Sequence, residues 1–164
     1  MAVVSDEQVI GQLASRNRAE ADAAVGEIMH RGPQMIPLLL KQRGNRDFFP
    51  GTSLLNPRAS ILLPVPSEGM PLPESEKDRV ITVEAAALYL ISAILAGELN
   101  FSRAPLLLDL DEPQGKRTIA NTPERLKRAF DAAEQWHRSG RAASTQKGRA
   151  AANDPLAASN LRWY

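Results

Sequence analysis

The stretch from Thr82 to Gly97 constrains the fold more than any other part of the chain, because nearly every residue in it is apolar. A helix that is hydrophobic on all sides belongs in a protein core or in a membrane. The apolar run from Ala85 to Ala96 is about half the roughly 20 residues that a membrane-spanning helix needs. The sequence therefore predicts a buried central helix, with Thr82 as its N-terminal cap and Gly97 at its end.

Further helices are predicted from capping signals and from the spacing of apolar residues. One begins after Ser5, which has a glutamine three residues later in the spacing of a capping box. Another runs from about residue 19 to residue 30 and stops at Gly32. A C-terminal amphipathic helix starts after Thr122 and has its apolar residues on one side. Few aromatic residues and many alanines and leucines also favour helix over sheet.

Residues 45–79 differ from the rest, because they hold six of the twelve prolines. A long segment of this kind inside a small domain tends to be functional or disordered. We expect residues 1–164 to form a single helical domain, with residues 45–79 as a proline-rich insertion. Residues 141–154 offer almost nothing to bury and are predicted to be mobile.

Two parts of the chain share a pattern in which an alanine-rich helix ends at a glycine and a short leucine-rich helix follows. The short helices carry Pro-Leu-Leu-Leu at residues 37–40 and at residues 105–108, and the second is predicted to span residues 103–110. The pattern resembles the HEAT-repeat family of α-solenoids, over about half the chain. That resemblance implies an all-α fold of two irregular HEAT-like helical hairpins, completed by the C-terminal amphipathic helix and the long proline-rich insertion. It also implies a scaffold that binds proteins or, less often, nucleic acid.

Charge is unevenly distributed although the net charge is only +1. Residues 68–112 carry nine acidic and three basic side chains, whereas residues 116–164 carry ten basic and four acidic ones. Two interpretations follow: either these parts of the chain face each other, or the C-terminal third presents a basic surface to a partner.

Motifs for catalysis are missing from the sequence. There is no cysteine, there are only two histidines, and neither a phosphate-binding glycine loop nor a nucleophile elbow occurs. The histidines, His30 and His137, each fall at a predicted helix C-terminus, where a cationic ring suits the helix dipole. The acidic cluster at Asp109, Asp111 and Glu112 is interpreted as a solvated turn. We predict a non-enzymatic protein with no cofactor, no metal and no catalytic residue.

The expected function is protein–protein interaction, as a scaffold module of HEAT-like type whose partner is another protein. The alternative is nucleic-acid binding through the basic C-terminal third. Membrane association is not expected, and the absence of a recognisable signal sequence favours a cytoplasmic location, although a removed signal peptide would leave the same sequence. The candidate partner-binding residues are Phe48, Phe49, Leu54, Leu55, Arg58, Arg125 and Arg128.

Overall fold

The computed structural model describes residues 3–54, 80–99, 101, 104–139 and 154–164. This part of the protein is mostly helical. Its helices are α1 (Asp6–Gly11), α2 (Arg18–Arg31), α3 (Ile36–Leu40), α4 (Val83–Ala96) and α5 (Pro123–Arg138). Two short strands, β1 (Leu107–Asp109) and β2 (Leu161–Trp163), form an antiparallel sheet. The expected all-α fold is therefore correct in its helical content and wrong in having no sheet.

The central helix α4 is the most deeply buried element, as its apolar composition predicts. Every residue from Val83 to Ala93 is buried. The Thr82 hydroxyl accepts a hydrogen bond from the Ala85 backbone N–H at 3.2 Å, which caps the first turn. Gly97 ends the helix in a left-handed conformation, with φ of 80°, that glycine adopts without steric cost.

The other helix boundaries also follow local signals in the sequence. Ser5 and Gln8 form the predicted capping box, in which each side chain bonds to the backbone of the other residue. Asn17 caps α2 by accepting from the Ala19 N–H at 3.0 Å. Thr122 caps α5, and the proline that follows it occupies the first helical position. These caps satisfy backbone N–H groups that would otherwise have no partner inside the helix.

The sequence predicts that residues 103–110 form the second helix of the second hairpin, but no helix is formed in the described residues 104–110. Leu107 and Leu108 instead belong to β1, which pairs with β2 in the register Leu107–Trp163 and Asp109–Leu161. The Leu107 N–H donates to the Asn121 side chain at 3.0 Å, and the Leu107 carbonyl accepts from the Ala120 N–H at 3.1 Å. Partners distant in sequence thus replace the local hydrogen bonds that a helix would have made.

Some predictions fall on parts of the chain outside the described residues. These are residues 55–79 of the proline-rich insertion, residues 141–153 of the predicted mobile segment, and the candidate partner-binding residues Leu55 and Arg58.

Candidate interaction surface

The first part of the proline-rich insertion, residues 45–54, crosses the start of the central helix, and we call it the strap. The Asp47 carbonyl accepts from the Val83 N–H at 2.8 Å, and the Asn45 carbonyl accepts from the Glu84 N–H at 2.9 Å. Phe48 forms an antiparallel β-bridge with Thr82. The strap therefore supplies acceptors for the first backbone N–H groups of α4, which a helix cannot satisfy internally.

The far end of the strap is fixed to α2 by one carboxylate. Asp22 accepts from the backbone N–H groups of Thr52 and Ser53 at 2.7 and 2.8 Å, and from both hydroxyls at 3.0 and 2.7 Å. Four hydrogen bonds from two consecutive residues hold the backbone of the strap in one position against α2. Both ends of the strap are thus attached to the helical body.

Gly51 is required at the bend of the strap for reasons of space. A Cβ atom at this position would lie 2.5 Å from Cζ of Phe49 and 2.6 Å from Oδ1 of Asp22. We therefore expect Gly51→Ala to lower the free energy of unfolding by about 1–3 kcal/mol, the usual cost of overpacking. Gly26→Ala is the matched control, since a Cβ there meets nothing within 4 Å. Urea denaturation measures both, and equal stability of the two variants would contradict this account.

The Asp22 contact also predicts how stability depends on pH. Burial alone raises the pKa of Asp22, but the hydrogen bonds from Ser53 and Thr52 outweigh it and leave the pKa below its ordinary value. A carboxylate with a lowered pKa stabilises the fold above the pKa of the unfolded chain, near 4, and this contribution is lost as pH falls through the folded-state pKa.

We expect Asp22→Asn to be less stable than the native protein at neutral pH, and the difference to shrink as pH falls below about 4. Urea unfolding at a series of pH values measures it. Glu7→Gln, which removes an exposed carboxylate on α1, is the control for a general charge effect. A stability difference between Asp22→Asn and native protein that stays constant down to low pH would refute the prediction.

The candidate residues of the strap differ in how far their side chains are exposed. Phe49 and Leu54 are 1% and 3% exposed, so their prediction as partner-binding residues is wrong and they belong to the core. Phe48 is 42% exposed. Phe48 and Phe49 differ because the backbone is extended at the Phe48 β-bridge, where neighbouring side chains point to opposite sides.

Arg125 is buried and bound to the loop that joins β1 to α5. Its guanidinium donates to the carbonyls of Leu107, Thr118 and Ala120 at 3.1, 2.9 and 3.4 Å, and to the Thr118 hydroxyl at 2.8 Å. It also pairs with the Glu112 carboxylate at 2.5 Å. Its prediction as a partner-binding residue is therefore wrong, because its donors are used to hold this loop in place.

Arg128 lies one turn further along α5, and its guanidinium is also paired with acidic side chains. It pairs with Asp109 at 2.7 Å and with Asp111 at 2.8 Å, and it donates to the Ser159 carbonyl at 2.9 Å. The hydrogen bond from Arg128 holds the pKa of Asp109 below its ordinary value. Asp109 is buried, so its interpretation as part of a solvated turn is wrong. The acidic middle and the basic C-terminal third of the chain face each other at this point.

Residues 154–164, which we call the C-terminal segment, return to the central helix. Trp163 packs edge-on against Tyr89 with ring centroids 5.1 Å apart, and its indole N–H donates to the Ser92 hydroxyl at 3.1 Å. Burial raises the pKa of Tyr89 to about 12. Trp163 is buried, as expected for a large aromatic side chain. The sequence does not predict the strand pairing, which depends on β1.

Among the described residues, no group of three or more histidine, aspartate or glutamate side chains is placed to hold a metal ion. Within the same residues, no helix has both the length and the apolar composition needed to cross a lipid bilayer. His30 and His137 lie in the last turns of α2 and α5, as predicted.

Comparison with known proteins gives no relative: no family model, no curated protein and no solved structure matches the chain.

Proposed function

We propose that the protein is a non-enzymatic protein-interaction module whose partner binds at the strap, around Phe48. The observation that carries this proposal is the exposure of Phe48 on a backbone held at both ends. A large aromatic side chain loses little conformational freedom when a partner covers it, and such residues contribute strongly to protein interfaces. The resemblance to HEAT repeats remains part of the proposal and rests on the sequence pattern alone, in which the alanine-rich α2 is followed by the Pro-Leu-Leu-Leu helix α3.

The rigidity of the strap supports this role. Phe49 and Leu54 are buried on either side of the Asp22 contact, and the Phe49 N–H donates to the Ile81 carbonyl at 3.0 Å. The backbone that presents Phe48 is therefore ordered before a partner binds. Less entropy is then lost on binding than if the same segment had to fold onto the partner.

The ion pairs of Arg125 and Arg128 weigh against nucleic-acid binding, which remains the alternative. A cation already paired with carboxylates releases few counterions from a phosphate backbone, and counterion release supplies most of the non-specific affinity for nucleic acid. The basic character of the C-terminal third is thus partly used inside the protein.

Quantitative affinity capture from an extract of the source cell tests the proposed surface. We compare the native protein with Phe48→Ala and with Tyr164→Ala, a control that removes another exposed aromatic side chain, 37% exposed, from a different element. We expect a protein partner that is retained by the native protein and by Tyr164→Ala and is lost by Phe48→Ala. Equal retention by both variants would show that Phe48 is not the contact. Circular dichroism and urea denaturation check that both variants keep the native fold.

A second assay tests the alternative, nucleic-acid binding. It uses substitutions that leave the ion pairs of Arg125 and Arg128 intact. Lys116 and Lys127 are exposed, so Lys116→Ala and Lys127→Ala change the surface charge alone. We expect no binding to mixed-sequence DNA or RNA at physiological salt. Micromolar binding that weakens steeply with salt and is reduced by both substitutions would favour the nucleic-acid function over the proposed one.

A further inference from the structure

The C-terminal segment contacts the rest of the protein through a compact and specific set of interactions. Its backbone pairs with β1, with the Tyr164 N–H donating to the Leu106 carbonyl at 2.9 Å and the Leu110 N–H donating to the Asn160 carbonyl at 3.0 Å. Its buried anchors are Leu156, Leu161 and Trp163, which belong to the main hydrophobic core. Within the segment a 3-10 turn at Ala157–Ser159 leads into the extended Leu161–Trp163, whose alternate apolar side chains fill a groove along β1 and α4.

Polar contacts define which segment this groove accepts. At one end the Trp163 indole donates to Ser92, and at the other end Arg128 donates to the Ser159 carbonyl and the Asn160 side chain donates to Asp111. A strand without the Trp163 indole and the Asn160 amide would leave the Ser92 hydroxyl and the Asp111 carboxylate without these donors, whereas any strand supplies a backbone carbonyl such as that of Ser159. The groove is therefore complementary to this particular sequence and not to strands in general.

Release of the C-terminal segment would expose one edge of β1. The other edge of β1 stays engaged, since Leu108 forms an antiparallel bridge with Ile119. Local openings of this kind cost less free energy than global unfolding. An open strand edge is a template for pairing with another chain. In another copy of the protein, residues 154–164 have the sequence that the groove fits.

We propose that the groove along β1 also accepts the C-terminal segment of a second copy of this chain, which gives a reciprocal strand-exchanged dimer. Each contact described above is re-formed between the copies, so the exchange requires no new interface. Residues 140–153 connect α5 to the exchanged segment in each copy. This inference does not depend on the proposed function, because none of the contacts described above involves Phe48.

Single cysteines test the exchange, because the chain has none of its own. Leu108 and Arg162 lie opposite each other in the antiparallel register. We place Leu108→Cys in one copy and Arg162→Cys in a second, mix the two, release the strands in mild denaturant, remove the denaturant and oxidise. We expect a disulfide-linked heterodimer, and its yield rises with protein concentration during the refolding step.

The control carries both substitutions in one chain and is oxidised before mixing. We expect an internal disulfide that holds the C-terminal segment in its own groove and abolishes the dimer. Native mass spectrometry of nitrogen-15-labelled and unlabelled native chains, refolded together, detects the mixed dimer without any substitution. Three results would each overturn the proposal: a failure of the internal disulfide to form, no mixed-label dimer at any concentration, or a dimer that persists when the segment is locked.

Discussion

Replacing Leu90 with alanine is expected to remove about 2–5 kcal/mol from the free energy of unfolding, the range for large-to-small changes in a core. Leu90 has no exposed surface and lies in the middle of α4. The protein loses the free energy gained by burying the removed methyl groups. The residues around them relax only partly into the cavity that is left. The surrounding core includes residues from the other helices and from the C-terminal segment, so the cavity cannot be filled by movement of one loop.

Ile94→Ala is the matched control, since Ile94 lies one turn later in α4 and is only partly buried. We expect it to cost less than Leu90→Ala, because part of its side chain already contacts water. In a protein of this size, each kcal/mol corresponds to about 2–4 °C in melting temperature. Thermal and urea unfolding measure both variants. No loss for Leu90→Ala would show that α4 is not the centre of the core, and a loss for Ile94→Ala as large as that for Leu90→Ala would contradict the expected effect of burial.

The sequence predicts the helices well because their signals are local. Ser5, Asn17, Thr82 and Thr122 each cap a helix by bonding to a backbone N–H two or three residues further along. Such contacts are determined by a few adjacent residues and survive in most tertiary contexts. The burial of α4 follows as directly, because a helix without a polar face has no side that can face water.

The sequence fails at residues 104–109, where local preference and tertiary structure disagree. Leucine favours helix, and the same Pro-Leu-Leu-Leu motif does form a helical turn at residues 36–40. At the second motif, Asn121 and β2 provide the hydrogen-bond partners, and both lie far along the chain. The sequence of residues 104–109 does not show which distant strand will pair with them.

In the candidate site, too, the sequence predicts what depends on neighbouring residues and does not predict contacts between residues far apart in the chain. Apolar content predicts that the strap contacts the helices, but the choice of Phe48 as the exposed residue depends on the pairing of Phe48 with Thr82. The uneven charge is compatible with two arrangements, and only the fold brings Arg125 and Arg128 to the acidic residues. The dense hydrogen bonding of Asp22 has no recognisable sequence signal, because Thr52 and Ser53 lie about 30 residues away.

Replacing Arg125 with methionine is expected to lower stability by about 3 kcal/mol, the lower end of the range for breaking a buried ion pair. The lower end applies because the Glu112 side chain is 31% exposed and regains part of its hydration. The substitution keeps most of the volume of the side chain but removes every donor. The Thr118 and Ala120 carbonyls and the Glu112 carboxylate then lose a partner, and the loop between β1 and α5 loses its common anchor.

Two companion variants separate the buried network from a general effect of charge. Lys127→Ala removes an exposed cation from the same helix and is expected to change stability by no more than about 0.5 kcal/mol. Arg125→Lys keeps the charge but lacks the planar fork that reaches several acceptors at once, so most of the loss should remain. In a double-mutant cycle, Glu112→Gln should cost less in the Arg125→Met background than in the native protein, since the pair is already broken. Additive losses would mean that the Arg125–Glu112 pair contributes nothing to stability, which would contradict this account.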